Sequence, residues 1–196
     1  MSDTQTLPYG SWPSPISIDL AVGSSRGLSE PRQDGDDLYV RESRPEEQGR
    51  VVLLRRTPDG ELTDVAPGLN VRTRVHEYGG GAYAVTDGVI VFSEFDDNRL
   101  LLKGSPADAP RELVADPALR FADMSFDLAR DRVHAVMEDQ TESAIGARNL
   151  LVAVSLADGT ITELATGHDF YSDPTLSPDG SRLAFLTWDF PRMPWD

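Results

Sequence analysis

The feature that most constrains this chain is internal repetition. Four short segments look alike: Asp37–Arg41, Gly88–Ser93, Asp131–Val136 and Ser181–Leu186 are each β-branched or aromatic, and each opens on an acidic, polar or glycine turn. Their starts recur at intervals of roughly 43–51 residues, the spacing of radial β repeats in which every unit is one small antiparallel sheet. Further strand-like segments fill the intervals, at Val51–Arg55, Arg99–Lys103 and Leu150–Val154. Each leads to a turn and a closing strand, as in Pro58–Thr63 and Ala157–Leu164. Asp59-Gly60, Asp87-Gly88, Asp158-Gly159 and Asp179-Gly180 stand where the chain has to reverse, since glycine takes positive φ without steric cost. Gly or Pro interrupts every helical periodicity, and Ser105–Asp116 reads as loop plus a short strand at Glu112–Val114.

The expectation is therefore an all-β chain forming a partial β-propeller of about three to four four-stranded antiparallel blades. Residues 1–35 read as a segment leading into the propeller, which occupies 36–196. Complete blades fall near 36–67, 80–116 and 121–167, and an incomplete one spans 169–196. The ring is expected to be open, with the last blade cut off after its second strand, and an open sheet edge favours self-association.

Charge narrows the functions. With 33 acidic against 18 basic residues and a formal net charge of −15, the surface repels nucleic acid and anionic membranes, because phosphate binding needs clustered cations. No cysteine is present, which excludes disulfides and thiolate metal sites and makes the cytoplasm the expected compartment. The polar start Met1–Thr6 lacks the features of a signal peptide, and no apolar run approaches the roughly 20 residues that span a bilayer.

Several segments, in order along the chain, resemble the prolyl oligopeptidase family in its dipeptidyl-aminopeptidase and acylaminoacyl-peptidase-like branch. They are Tyr9–Ile16, the run Asn70–Gly81 (Asn-Val-Arg-Thr-Arg-Val-His-Glu-Tyr-Gly-Gly-Gly), Asp169–Pro174, Ser177–Gly180 with Leu183–Asp189, and Met193–Asp196. Ser-Pro-Asp-Gly is a common β-turn; the run at 70–81 is far more specific. The resemblance implies the N-terminal propeller of a serine peptidase, placed before an α/β-hydrolase domain that carries the Ser, Asp and His of catalysis. It implies a non-catalytic gating and docking element whose partners are that absent hydrolase domain and the peptide substrates of a parent enzyme. The alternative is a stand-alone propeller-type binding protein that completes its ring by associating.

Within the chain no catalytic residue, cofactor or metal site is expected. Gly23-Ser24-Ser25-Arg26-Gly27 matches a nucleophile elbow formally and follows the strand-like Ile16–Val22, but the residues after it, with Pro31 and Gly35, cannot form the helix that an elbow requires. His76, His134 and His168 lack zinc spacing, and His134 reads as a satisfied strand residue. Asp34-Gly35-Asp36-Asp37 lacks the later ligands of a calcium loop and reads as a solvated turn. Trp188, Phe190 and Trp195 read as packing between blades. The candidate substrate or domain-interface residues are Arg72, Arg74, His76, Glu77 and Tyr78, a polar cluster running into three glycines that let backbone approach closely. In that reading Arg meets a carboxylate and Glu77 an amine.

Overall fold

A computed structural model describes residues 6–18, 20, 25–77, 79–141 and 146–196. Its strands are β1 (Gly27–Asp34), β2 (Asp37–Arg44), β3 (Arg50–Arg56), β4 (Leu62–Asp64), β5 (Tyr83–Thr86), β6 (Val89–Ser93), β7 (Leu100–Lys103), β8 (Arg111–Val114), β9 (Leu119–Asp127), β10 (Arg132–Asp139), β11 (Arg148–Ser155), β12 (Ile161–Ala165), β13 (Phe170–Leu176) and β14 (Leu183–Trp188). They form three antiparallel four-stranded sheets, β1 to β4, β5 to β8 and β9 to β12, followed by the two-stranded sheet β13–β14. Each sheet is a meander, because strands adjacent in sequence are also neighbours in the sheet. Asp87 and Gly88 both take positive φ, at 52° and 76°, the backbone that matches the twist of a two-residue hairpin.

The first strands of successive sheets touch: β1 meets β5, β5 meets β9 and β9 meets β13. The sheets therefore radiate from a shared inner side, which is the propeller arrangement. Apolar side chains fill the spaces between them. Tyr39 and Leu53 of the first sheet pack with Tyr83, Ile90 and Phe92 of the second. Val91, Leu100 and Leu102 of the second pack with Val133, Ala135 and Val152 of the third. A smaller cluster of Ala122, Val136, Leu151 and Tyr171 joins the third sheet to the fourth, with Val75 from the loop before β5. Each fully buried large side chain contributes about 1.5–3 kcal/mol from the area it removes from water.

The first sheet begins at Gly27, nine residues before the start expected at residue 36. Its inner strand reads Gly-Leu-Ser-Glu-Pro-Arg-Gln-Asp, with one apolar side chain and a proline, so it lacks the alternation that marks a strand. A bulge between Ser29 and Arg32 accommodates that proline.

Candidate functional site

The inner strands repeat one device. β1, β9 and β13 each carry a bulge, and each bulge holds an acidic residue at positive φ: Glu30 at 50°, Asp123 at 51° and Asp173 at 54°. The left-handed backbone is unusual for a residue with a Cβ, and here it aims the carboxylates of Glu30 and Asp123 sideways, while that of Asp173 accepts from the Ser172 hydroxyl at 2.7 Å. The Ala82 N–H donates to Glu30 Oε2 at 3.1 Å, and the Gly81 N–H donates to Asp123 Oδ1 at 2.6 Å. Asp123 returns its own N–H to the Gly81 carbonyl at 2.7 Å, and its second carboxylate oxygen accepts from the Asp173 N–H at 3.4 Å. The acids thus tie neighbouring sheets together along the inner side. Burial pushes the carboxyl groups of Glu30 and Asp123 above their ordinary pKa; the Arg41 guanidinium, paired with Glu30, works against that shift.

The three glycines of the candidate cluster belong to this device. A Cβ on Gly81 would lie 2.9 Å from Asp123 Oδ1, and one on Gly80 would lie 3.1 Å from both that oxygen and the Ala122 Cβ. Gly79, at φ +88°, would meet the Thr73 carbonyl oxygen at 3.2 Å. A side chain at Gly80 or Gly81 would crowd the carboxylate that holds the second and third sheets together.

The loop preceding these glycines crosses from the first sheet to the third and fourth. The His76 N–H donates to Glu138 Oε2 at 2.7 Å. Arg120 of β9 reaches Glu138 Oε1 and Glu77 Oε1, both at 2.7 Å, and the Arg74 carbonyl at 3.3 Å. The His76 ring meets Phe170 edge-on at 5.1 Å and Trp188 at 6.1 Å, and those two rings stack at 5.3 Å. Burial lowers the His76 pKa against the pull of Glu138, Asp123 and a hydrogen bond with Asn149. Arg72 and Arg74 both stack on one ring, with their guanidinium carbons 4.5 and 4.1 Å from the Phe95 centroid. Neither makes an ion pair with a described residue.

The structure therefore brings Arg74, His76 and Glu77 together around Arg120, sets Arg72 beside Phe95, and leaves Arg72 and Glu77 exposed. Tyr78 lies outside the described residues. The sequence reading missed Arg120, Glu138, Asp123 and Glu30. Of these only Glu30 carries a signal, an acid followed by proline inside a strand-like run, which Asp173-Pro174 repeats.

Other candidates resolve differently. Gly23 and Ser24 of the formal elbow, with Ala21 and Val22 of the strand-like run, lie outside the described residues, and the exposed Ser25 leads into β1 rather than a helix. Asp34 does more than sit in a solvated turn: it accepts the N–H groups of Asp87 and Gly88 at 2.8 and 2.7 Å and so pins the hairpin of the second sheet. Asp37 pairs with Arg55 at 2.6 Å. Among the described residues no cluster of three metal-ligating side chains occurs. His168 pairs with Asp189 at 3.0 Å. His134 lies on β10 as expected, yet it is not satisfied: its Nδ1 is buried and has no partner among the described residues. Trp188 packs against the loop, whereas Phe190 and Trp195 are exposed. No described helix is long and apolar enough to cross a membrane.

Radiating antiparallel sheets, bulged inner strands and a strapped inter-sheet loop define a β-propeller segment. Comparison with solved structures gives the closer kinship. The chain superposes on a puromycin hydrolase with a TM-score of 0.84 at 35% identity, over 98% of its length and 32% of the hydrolase. A puromycin-hydrolyzing peptidase of Mycobacterium tuberculosis gives 0.80 at 38% identity, over 98% of this chain and 31% of the other. A chain of a nidogen/laminin complex shares the fold alone, at 14% identity and a TM-score of 0.54. No protein-family model matches, and no curated protein matches significantly. The chain is thus similar to the β-propeller region of prolyl oligopeptidase family peptidases, and it spans about a third of the length of those it matches.

Proposed function

We propose that this chain is the gating and docking propeller of a peptidase that hydrolyses peptides or aminoacyl compounds such as puromycin, and that it turns over no substrate by itself. The observation that carries this reading is the near-complete match of the chain to one third of two such hydrolases.

In this reading the exposed Arg72 and Glu77, carried on a loop fixed by Arg120 and Phe95, face the hydrolase domain or the charged ends of a peptide. A rigid loop bearing opposite charges suits that task, because its geometry is set before the ligand arrives. The acidic, cysteine-free composition supports a cytoplasmic setting. A second reading, a binding protein that completes its ring with another copy, draws on the free edge of β14.

The test is an assay of the 196-residue chain with puromycin and aminoacyl nitroanilides, with and without the separately expressed hydrolase portion of the puromycin-hydrolyzing peptidase. The expected result is no turnover alone and binding to the hydrolase portion that Glu77→Arg weakens. Hydrolysis by the chain that Ser25→Ala abolishes overturns the reading. A discrete dimer in light scattering, with no affinity for the hydrolase portion, replaces it with the second.

A further inference from the structure

A cavity of about 220 Å³ lies between the first sheet and the loop that leads from it to the second. Both of those sheets have all four strands, so the cavity belongs to a finished part of the fold. One wall is formed by Leu28 and Ser29 of β1, Arg41 and Ser43 of β2 and Val51 of β3. The ladder fixes these positions, setting Ser29 opposite Arg41 and Ser43 opposite Val51. The other wall is Arg72 with the glycine backbone that follows it in the loop.

The two arginines give the cavity its charge. Arg41 pairs with Glu30 through one terminal nitrogen and donates to the Val71 carbonyl at 3.2 Å through the other. Its Nε is buried and has no hydrogen-bond partner among the described residues. Arg72 has no acidic partner among them either, and its guanidinium rests on the Phe95 ring at 4.5 Å. Burial lowers the Arg41 pKa, Glu30 opposes that shift, and Arg72 adds to it, so the two guanidinium groups feel one another. Two cations and one carboxylate leave a single positive charge at the cavity, in a chain whose net charge is −15.

We propose that this cavity is a binding site for one carboxylate carried on a small aliphatic group. The carboxylate accepts from the Arg41 Nε–H and from the Arg72 guanidinium, with the serine hydroxyls at its edge, and the aliphatic group lies on Leu28 and Val51. An anion here relieves the repulsion between the arginines and gives the buried Nε–H an acceptor, and hydrogen bonds between charged groups are the strong ones. The single surplus charge matches a monoanion and leaves a phosphate dianion uncompensated. The β ladder and the Phe95 ring hold both arginines before the ligand arrives, which limits the ordering that binding costs. The site itself does not rest on the peptidase reading; assigning its ligand to the C-terminal residue of a peptide does.

The probe is isobutyrate, titrated at constant ionic strength into the full chain and followed through the arginine Nε–H resonances. A saturable downfield shift of the Arg41 Nε–H is expected. Isobutyramide, which has the same shape and no charge, leaves that resonance unmoved, and Arg72→Gln, a change at an exposed position, weakens isobutyrate at least fivefold. The tripeptide Gly-Gly-Leu and its C-terminal amide separate the two sources of ligand. Tighter binding of the tripeptide than of isobutyrate, with an inert amide, supports the site and assigns it to the end of a peptide. Equal affinity of tripeptide and isobutyrate supports it as a site for free acids and removes it from the peptidase reading. An unmoved Arg41 resonance, an equal response to isobutyramide, tighter binding of inorganic phosphate, or indifference to Arg72→Gln overturns the proposal.

Discussion

His134 is held between two sheets with its ring out of water, and burial lowers its pKa below the ordinary 6.5. Arg132 and Arg130 press in the same direction, Asp127 opposes them, and Arg182 faces a cavity beside the ring from the opposite hairpin. An imidazole whose folded pKa is depressed takes up its proton in the unfolded chain first. Its contribution to stability is complete above about pH 6.5 and is lost as pH falls from there through the folded value. Urea unfolding between pH 7.5 and 5.5 is therefore expected to show stability declining toward acid. His134→Gln makes that decline shallower, with the remainder owed in part to His76, which burial shifts in the same direction. Equal slopes in the two proteins would reject this account. The importance of Asp123 could not be read at this scale, because 33 acids crowd the sequence and only the positive φ of a bulge distinguishes three of them. Gly80 and Gly81 were legible as points of close approach, but what approaches, a carboxylate from a strand some 42 residues on, was not.

Among the elements, the loop from Val65 to Ala82 does more than connect. Arg120 gathers Glu77, Glu138 and the Arg74 carbonyl, and its partners differ sharply in setting: the Glu138 side chain is 4% exposed and that of Glu77 is 79%. Removing the guanidinium leaves the buried Glu138 carboxylate without its counter-charge, held only by the His76 N–H and the Gln140 amide, for which the cost is about 3–5 kcal/mol; the exposed Glu77 partner is screened by solvent and loses little. Arg120→Ala is thus expected to lower the free energy of urea unfolding by about 3 kcal/mol or more, and Glu77→Gln by a small fraction of that loss. Similar losses in both would show that the loop is held by something other than Glu138. The strands were unevenly legible for a related reason. The middle strands β3, β6, β7 and β11 are buried and nearly continuous in Val, Leu and Ile, so they announce themselves. The inner strands β1, β9 and β13 carry an acid at the bulge, and in β1 and β13 a proline follows it; their sequences look like turns because part of each strand makes one.

At the scale of the molecule, each sheet touches chiefly its neighbours, so stability is distributed unequally along the series. Among the described residues the second and third sheets share the largest buried cluster, fourteen side chains. The fourth has two strands, a five-residue cluster with the third, and the His76 contact with Phe170 and Trp188 from the loop. The repeat period made this serial plan readable from sequence, because turn residues punctuate it at every sheet; the strap was not readable, because nothing in the run at 70–81 says which distant strands it meets. Local opening follows the number of buried apolar contacts, so native-state hydrogen exchange is expected to rank the sheets. Amides of β13 and β14 exchange by the least costly opening, and those of β6, β7, β10 and β11 by the most costly. His76→Ala removes an aromatic contact of about 0.5–1.5 kcal/mol and is expected to speed exchange in β13 and β14 while leaving β6 and β7 unchanged. Uniform protection across all four sheets, or an equal response of β6 to His76→Ala, would mean that the chain opens as one cooperative block and that the loop does not fasten its last sheet.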